Sequence, residues 1–96
     1  MMVVVAYDVE TTHDSGKKRL SNVRRTCAEW GVAVQDSVYE CELDAEQYRA
    51  LRERLEAAII PETDSVRFYL LGNHYQKRIE SVGRQRVQWD RETFVI

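Results

Sequence analysis

Proline and glycine are scarce in this chain of 96 residues, with one and four copies, so there is little room for long linkers and no composition break that would mark a second domain. Cysteine is limited to Cys27 and Cys41, both in patterned segments and without C-x-x-C spacing, which argues against a disulfide scaffold. No Ser-His-Asp set, zinc cluster or glycine-rich phosphate loop is written into the sequence. The opening apolar run, Met1 to Tyr7, falls far short of the ~20 residues needed to span a membrane. No basic leader or cleavage site stands ahead of it, so the expectation is a cytoplasmic protein with reduced thiols and no membrane partner.

What is present fits a folded domain. A hydrophobic fraction of 44% and a charged fraction of 31% belong to a globular chain, not a disordered one. A domain of this size buries roughly 60 to 70% of its unfolded surface, and oligomerisation would add to its stability. The net charge of −2 does not advertise nucleic-acid binding, yet the charges are unevenly placed. Residues 15 to 35 carry five bases (Lys17, Lys18, Arg19, Arg24, Arg25) against one acid, whereas residues 36 to 64 carry nine acids against three bases. A basic surface is therefore compatible with the negative total.

The apolar opening ends in an acid. Val3, Val4 and Val5 read as a strand buried on both faces, which places Asp8 where a central strand leaves the core. A carboxylate there is rigidly held and still meets solvent, a position that suits a metal ligand or an acid/base group. The competing structural role is that of an Asp opening the next turn.

Asp14 or Ser15 is placed to cap a helix whose apolar face is Leu20, Val23, Cys27 and Trp30 and whose end is Gly31. Lys17, Lys18, Arg24 and Arg25 fall on its opposite side, as a phosphate-tracking stripe or a merely solvated face. Residues 32 to 43 lack a helical period, and twelve residues are long for one strand, so a bend or division is expected near Gln35 to Ser37. Beyond it Tyr39, Cys41 and Leu43 share one face, with Val38, Glu40 and Glu42 on the other. Asp44 and Gln47 form a capping box for an amphipathic helix through Tyr48, Leu51, Leu55 and Ile59, closed by Pro61.

Residues 64 to 72 form the last strongly apolar strand. A further strand is expected in the tail through Val87, Trp89, Phe94, Val95 and Ile96, which in so small a domain calls for cover from a partner protomer. The resulting order, βαββαβ, is the ferredoxin-like α+β arrangement of an antiparallel sheet with two helices on one face. The chain divides into a core domain at residues 1–83 and a C-terminal strand or tail at 84–96.

Several segments together resemble the CRISPR-associated Cas2 family, small subunits of the spacer-acquisition machinery and metal-dependent endoribonucleases. They are Val3-Val4-Val5-Ala6-Tyr7-Asp8-Val9, then Trp30-Gly31 where the family usually has Tyr-Gly, Gln35-Asp36-Ser37-Val38-Tyr39-Glu40, and Asp64-Ser65-Val66-Arg67-Phe68-Tyr69-Leu70-Leu71. The resemblance implies a homodimer in which the tail strand joins the partner's sheet and the two copies of Asp8 face each other across the twofold axis. It also implies that Asp8 is the catalytic residue and the ligand of Mg²⁺ or Mn²⁺, and that the dimer works with the CRISPR integrase on RNA or double-stranded DNA. Two carboxylates with waters and a substrate phosphate can complete an octahedron that one carboxylate cannot.

Lys17, Lys18, Arg24, Arg25, Lys77 and Arg78 are candidates for nucleic-acid contact, and Ser37, inside a family segment, for phosphate contact. His13 is a candidate proton shuttle or an exposed loop residue, and His74 has less context still. Glu10 and Asp14 are expected in a solvated turn and a helix cap. Tyr7, Tyr39 and Tyr69 are expected in the core. The alternative function is a non-catalytic scaffold dimer that holds duplex DNA between integrase subunits. A toxin ribonuclease of similar fold and a ligand-sensing regulatory domain are further classes, the latter without an identifiable ligand motif.

Overall fold

The β-branched run at Val3 to Val5 is stiff at χ1 and favours extended backbone. It forms the centre of the first strand, Met2–Asp8 (β1). In the computed structural model, which describes residues 1–86, β1 is followed by a helix at Asp14–Trp30 (α1), strands at Val32–Gln35 (β2) and Val38–Glu42 (β3), a helix at Ala45–Ala58 (α2), a strand at Ser65–Gly72 (β4) and one 3-10 turn at Gln76–Arg78. The sheet order is β2-β3-β1-β4 with antiparallel neighbours throughout, which is the expected ferredoxin-like α+β topology. Residues 32 to 43 are two strands, with Asp36 and Ser37 between them.

Alternation along β1 decides which side is which. Val3, Val5 and Tyr7 are buried together with Val23 and Cys27 of α1, Tyr39 and Cys41 of β3, and Leu51 and Leu55 of α2. Both helices therefore lie on one face, and Val4, Ala6 and Asp8 point to the face without helices. The two thiols are free and buried. Burial pushes Cys27 up to about 12 and Cys41 up to about 11, so both remain protonated and serve as small core residues.

Gly31 ends α1 against this core. A Cβ there would stand 2.4 Å from Cys41 Sγ and 2.5 Å from the Glu40 carbonyl oxygen, so no larger residue fits the turn into β2. At the start of α2 the capping box is complete: Asp44 accepts from the Gln47 amide at 2.8 Å and the Gln47 side chain accepts from the Asp44 amide at 2.9 Å. At the start of α1, by contrast, neither Asp14 nor Ser15 caps. His13 is the N-cap without a side-chain bond, and Asp14 sits in the first turn, where its charge favours the helix N-terminus without closing it.

Asp64, just before β4, carries a fully buried side chain that ties four segments together. It receives Arg19 Nε at 2.8 Å and Nη2 at 3.3 Å, the Glu10 amide at 3.1 Å, the Ile60 amide at 2.9 Å and the Thr63 hydroxyl at 3.1 Å. Arg19 donates the first of these bonds and is the main reason that the Asp64 carboxyl is held well below the usual carboxylate range.

After Gly72, whose φ of 79° lies in the left-handed region, the chain leaves the β4 edge. Glu80, Ser81, Val82, Arg84, Gln85 and Arg86 share an open depression with Val34, Gln35 and Asp36 at the β2 edge, where Arg86 pairs with Asp36. The tail residues Val87, Trp89, Phe94, Val95 and Ile96 lie outside the described residues. Among the described residues no helix is long and apolar enough to cross a membrane.

Because the Asp64 carboxyl has a lowered folded pKa, its contribution to stability is complete above the ordinary carboxylate range and is lost as pH falls through that range toward the folded value. Asp64→Asn should therefore be less stable than wild type at neutral pH, and its acid unfolding curve should be shallower below about pH 4. Asp64→Ala should cost more, about 1 to 3 kcal/mol for each of the Glu10 and Ile60 amides left without an acceptor. Thermal and acid denaturation of the three proteins side by side checks both expectations.

Candidate active site

β1 carries Asp8 at its last position, pinned by pairing to Ser65 of β4, while the preceding Ala6 pairs with both Val38 of β3 and Arg67 of β4. Asp8 thus follows a stretch held by ladders on both sides, is itself paired to β4 alone, and has an exposed side chain. The expected placement of a rigid, solvent-facing carboxylate at the end of a central strand is what the structure has.

The loop that follows is equally constrained. Glu10 folds back on its own loop: its carboxylate accepts from the Thr12 amide and hydroxyl and, at 3.2 Å, from the His13 amide, and it lies 4.0 Å from Arg19 Nη2. These bonds, the Thr12 hydroxyl first, hold the Glu10 carboxyl below its ordinary value. Glu10 is thus a loop organiser, not a solvated turn residue. His13 is exposed, with Nδ1 at 3.2 Å from the Thr12 hydroxyl and 3.4 Å from Glu10 Oε2. His74 is exposed and remote in sequence from this loop.

Asp8 opens onto a depression of about 240 Å³ lined by Tyr7, Asp8, Val9, Thr11, Leu20, Arg24, Asp36 and Ser37. Three residues singled out in the sequence, Asp8, Arg24 and Ser37, are brought together here by three different elements: the end of β1, the exposed side of α1 and the β2–β3 turn. Ser37 is fixed in the turn by its carbonyl, which accepts from the Tyr7 amide at 3.1 Å. The Tyr7 hydroxyl donates to the Asp36 carbonyl at 3.2 Å, and its ring stacks on Tyr39 with centroids 6.2 Å apart. Burial raises the Tyr7 pKa, and Arg24 works against that rise through a side-chain hydrogen bond.

Asp36, read from the sequence only as part of the bend and of a family segment, also lines this depression. Arg86, its main partner, and Arg24 hold its carboxyl below the ordinary value. The sequence feature that could have pointed to it is its position at the expected bend between Gln35 and Ser37. Lys17, Lys18 and Arg25 are exposed on α1 as expected, but none lines the depression. Lys77 and Arg78 sit in the 3-10 turn, exposed and likewise outside it.

One protomer does not bring three potential metal-ligating side chains together among the described residues. Asp8 offers one exposed carboxylate, and Asp36 lines the same depression. Mg²⁺ commonly keeps several waters and takes one or two carboxylates plus substrate phosphate oxygens, and an exposed carboxylate such as Asp8 fits as one such ligand.

The fold itself is shared with solved proteins. The crystal structure of Streptococcus pyogenes Cas2 at pH 6.5 matches with a TM-score of 0.75 and 44% identity, over 86% of this chain and 100% of that one. A hypothetical protein from Thermus thermophilus matches at a TM-score of 0.72 and 26% identity, over 90% and 94% of the two chains. At the level of sequence, the family described as CRISPR-associated protein Cas2 matches residues 1–79, and the chain belongs to that family. Its relatives include the CRISPR-associated endoribonuclease Cas2 3 of Rhodospirillum rubrum, 45% identical over 85% of this chain and 86% of that protein. The CRISPR-associated endonuclease Cas2 of Halalkalibacterium halodurans is 42% identical over 86% of each.

Gly16 sets how closely the loop after Asp8 can lie against α1, because a Cβ there would stand 1.8 Å from the Glu10 carbonyl oxygen. Gly16→Ala must displace that backbone, and overpacking of this kind costs about 1 to 3 kcal/mol. At about 4 to 8 °C per kcal/mol for a domain of this size, thermal unfolding should show a clear drop in Tm. An unchanged Tm would mean that the loop yields without cost.

Proposed function

We propose that this protein is a divalent-metal-dependent endonuclease of CRISPR adaptive immunity that hydrolyses phosphodiester bonds. It works in the cytoplasm as a homodimer alongside the CRISPR integrase during spacer acquisition. The observation that carries this reading is Asp8, an exposed carboxylate fixed at the end of the central strand in a chain whose relatives are named endoribonucleases and endonucleases.

In the dimer each protomer contributes its Asp8 to one shared site. Held by the Asp8 carboxylates, Mg²⁺ or Mn²⁺ would supply Lewis acidity toward the phosphate and an activated water. This chain's own residues do the rest. Asp8 anchors the site, Arg24 presents a cation to the phosphodiester from the α1 side, and the Ser37 hydroxyl donates to a phosphate oxygen from the β2–β3 turn. The rigidity of β1, paired on both sides, keeps the reacting group in place without rearrangement on binding.

A second reading, a scaffold that binds duplex DNA between integrase subunits without cutting it, is favoured by the exposed Lys17, Lys18, Arg24 and Arg25 on α1. The two readings separate in one experiment. Labelled RNA and DNA are incubated with pure protein, with Mg²⁺, with Mn²⁺ or with chelator, for wild type and Asp8→Asn. Nuclease function requires cleavage that the chelator stops and that Asp8→Asn abolishes while keeping fold and dimer. Cleavage by Asp8→Asn at the wild-type rate would overturn the assignment.

The basic face of α1 has its own readout. Arg24→Ala with Arg25→Ala removes at most four phosphate contacts per dimer, so the slope of log affinity against log salt for duplex DNA should flatten by up to about 3 to 4. An unchanged slope would make the stripe a solvated face and turn attention to Lys77 and Arg78. Removal of residues 84–96 should convert the dimer to an unstable or aggregating monomer, read by sedimentation.

A further inference from the structure

The expectation that Tyr69 belongs to the core does not hold: it is 43% exposed, on the sheet face that carries no helices. Register explains this. β4 pairs Ser65 with Asp8, Arg67 with Ala6 and Tyr69 with Val4, so these three β4 residues occupy the face to which Asp8 points. In the proposed dimer that face meets the partner, and its Asp8 end is where the shared site forms. Ser65 is the β4 residue at that end, directly across the ladder from Asp8 and exposed like it.

Residues opposite each other on antiparallel strands have Cβ atoms about 4.5 to 5.5 Å apart, a span that a serine hydroxyl crosses to reach a carboxylate oxygen. Among the described residues no hydrogen bond or ion pair takes up the Asp8 carboxylate or the Ser65 hydroxyl, so both are available to each other. The frame that holds them is rigid for a reason one residue away. Asp64 turns inward where Ser65 turns outward, and its buried carboxylate accepts from the Glu10 amide at 3.1 Å and the Ile60 amide at 2.9 Å. The chain just beyond Asp8 and the chain just before Ser65 are thereby tied to one carboxylate, which keeps the two positions in register. Arg24 and Ser37 approach the Asp8 depression from α1 and the β2–β3 turn, whereas Ser65 alone is paired with Asp8 within the sheet.

We infer that Ser65 is a positioning residue for Asp8: its hydroxyl donates to one oxygen of the Asp8 carboxylate and leaves the other free for the divalent ion. This deepens the reading of Asp8 as a metal ligand and rests on it. An exposed aspartate turns about χ1 and χ2, and ligating carboxylates are in turn fixed by hydrogen bonds from a second layer of residues. A hydroxyl that donates to an ionised carboxylate makes one of the stronger hydrogen bonds available to a neutral side chain. Repetition across the twofold axis fixes both ligands of the shared site in the same way.

The test uses the full-length protein. Mn²⁺ titration followed by electron paramagnetic resonance reads metal affinity without a cleavage assay. In the metal-free protein, the carbon NMR resonance of the Asp8 carboxyl at one fixed neutral pH reads the hydrogen bond itself, and sedimentation follows the dimer. Ser65→Ala should weaken Mn²⁺ binding by about 10- to 100-fold and shift the Asp8 resonance. Its Tm and dimer should be unchanged, because an exposed polar side chain contributes little to stability. Ser65→Thr keeps the hydroxyl on a residue that strands favour and should restore both readouts. Unchanged Mn²⁺ affinity in Ser65→Ala, where Asp8→Asn has lost binding, overturns the inference, and so does an unchanged resonance. Loss of the dimer in Ser65→Ala overturns it too, by assigning Ser65 to a contact between protomers. A shifted resonance in Ser65→Ala together with Mn²⁺ binding that Asp8→Asn leaves intact would keep the Ser65–Asp8 bond and refute the metal-ligand reading instead.

Discussion

A carboxylate with no solvent exposure sits at the junction of four segments, and the arrangement around Asp8 follows from how that charge is satisfied. Asp64 takes a two-point contact from Arg19 of α1, two backbone amides and a hydroxyl, which leaves its oxygens fully occupied. Such a buried pair adds little net stability compared with a well-packed apolar replacement, since both charges are taken out of water. Its consequence is geometric. The Glu10 amide is held two residues beyond Asp8, and the Ile60 amide is held where the chain turns into β4, so the end of β1 and the start of β4 cannot part without stranding a buried charge.

The charged junction and the apolar core divide the work between the two ends of β1. Toward its start, Val3 and Val5 pack with Cys41, Leu51 and Leu55 in a purely apolar layer, closed by bonds between Met1 and Leu43: the terminal amine donates to the Leu43 carbonyl at 2.7 Å and the Leu43 amide to that of Met1 at 2.8 Å. Toward its end, polar groups take over: Tyr7 reaches the Asp36 carbonyl, Asp8 is exposed, and Glu10 folds into its own loop. A strand anchored in an apolar layer at one end can present a charged side chain at the other at little cost, because the position is secured elsewhere. Of Lys17, Lys18, Arg24 and Arg25, Arg24 alone lines the depression at this polar end. Lys17, Lys18 and Arg25 extend the positive surface away from it, in keeping with a long ligand that is held along its backbone.

Much of this was legible in the sequence, and for identifiable reasons. The Val3 to Val5 run, the three- and four-residue spacing of Leu20, Val23, Cys27 and Trp30, and the Asp44/Gln47 box each encode a local structure whose period or hydrogen bonds depend only on near neighbours. Where outcomes hinge on contacts distant in sequence, local reading failed. Asp14 resembles a cap, yet the loop before it is organised by Glu10, and the N-cap of α1 is His13, which makes no side-chain capping bond. Arg19 counts in the sequence only as one of five bases between residues 15 and 35, whereas its partner lies 45 residues away. Asp36 joins the Asp8 depression only because the β2–β3 turn folds over the end of β1, and nothing local to Gln35-Asp36-Ser37 says so.

Tyr69 shows the same limit from the other side. Phe68 and Tyr69 are neighbours of similar size, but the pleat sends Phe68 to the helix side, where its ring meets Tyr48 edge-on at 5.6 Å, and sends Tyr69 outward with Arg67. Which of two adjacent aromatics is buried is set by register against β1, and β1's own register is set by the requirement that Val3, Val5 and Tyr7 face the helices. The same constraint that places Asp8 on the face without helices therefore places Arg67 and Tyr69 there as well. A shift of one residue in the β1–β4 pairing would bury the charge of Arg67 and expose Phe68, so the composition of the outward face is as firmly specified as that of the core.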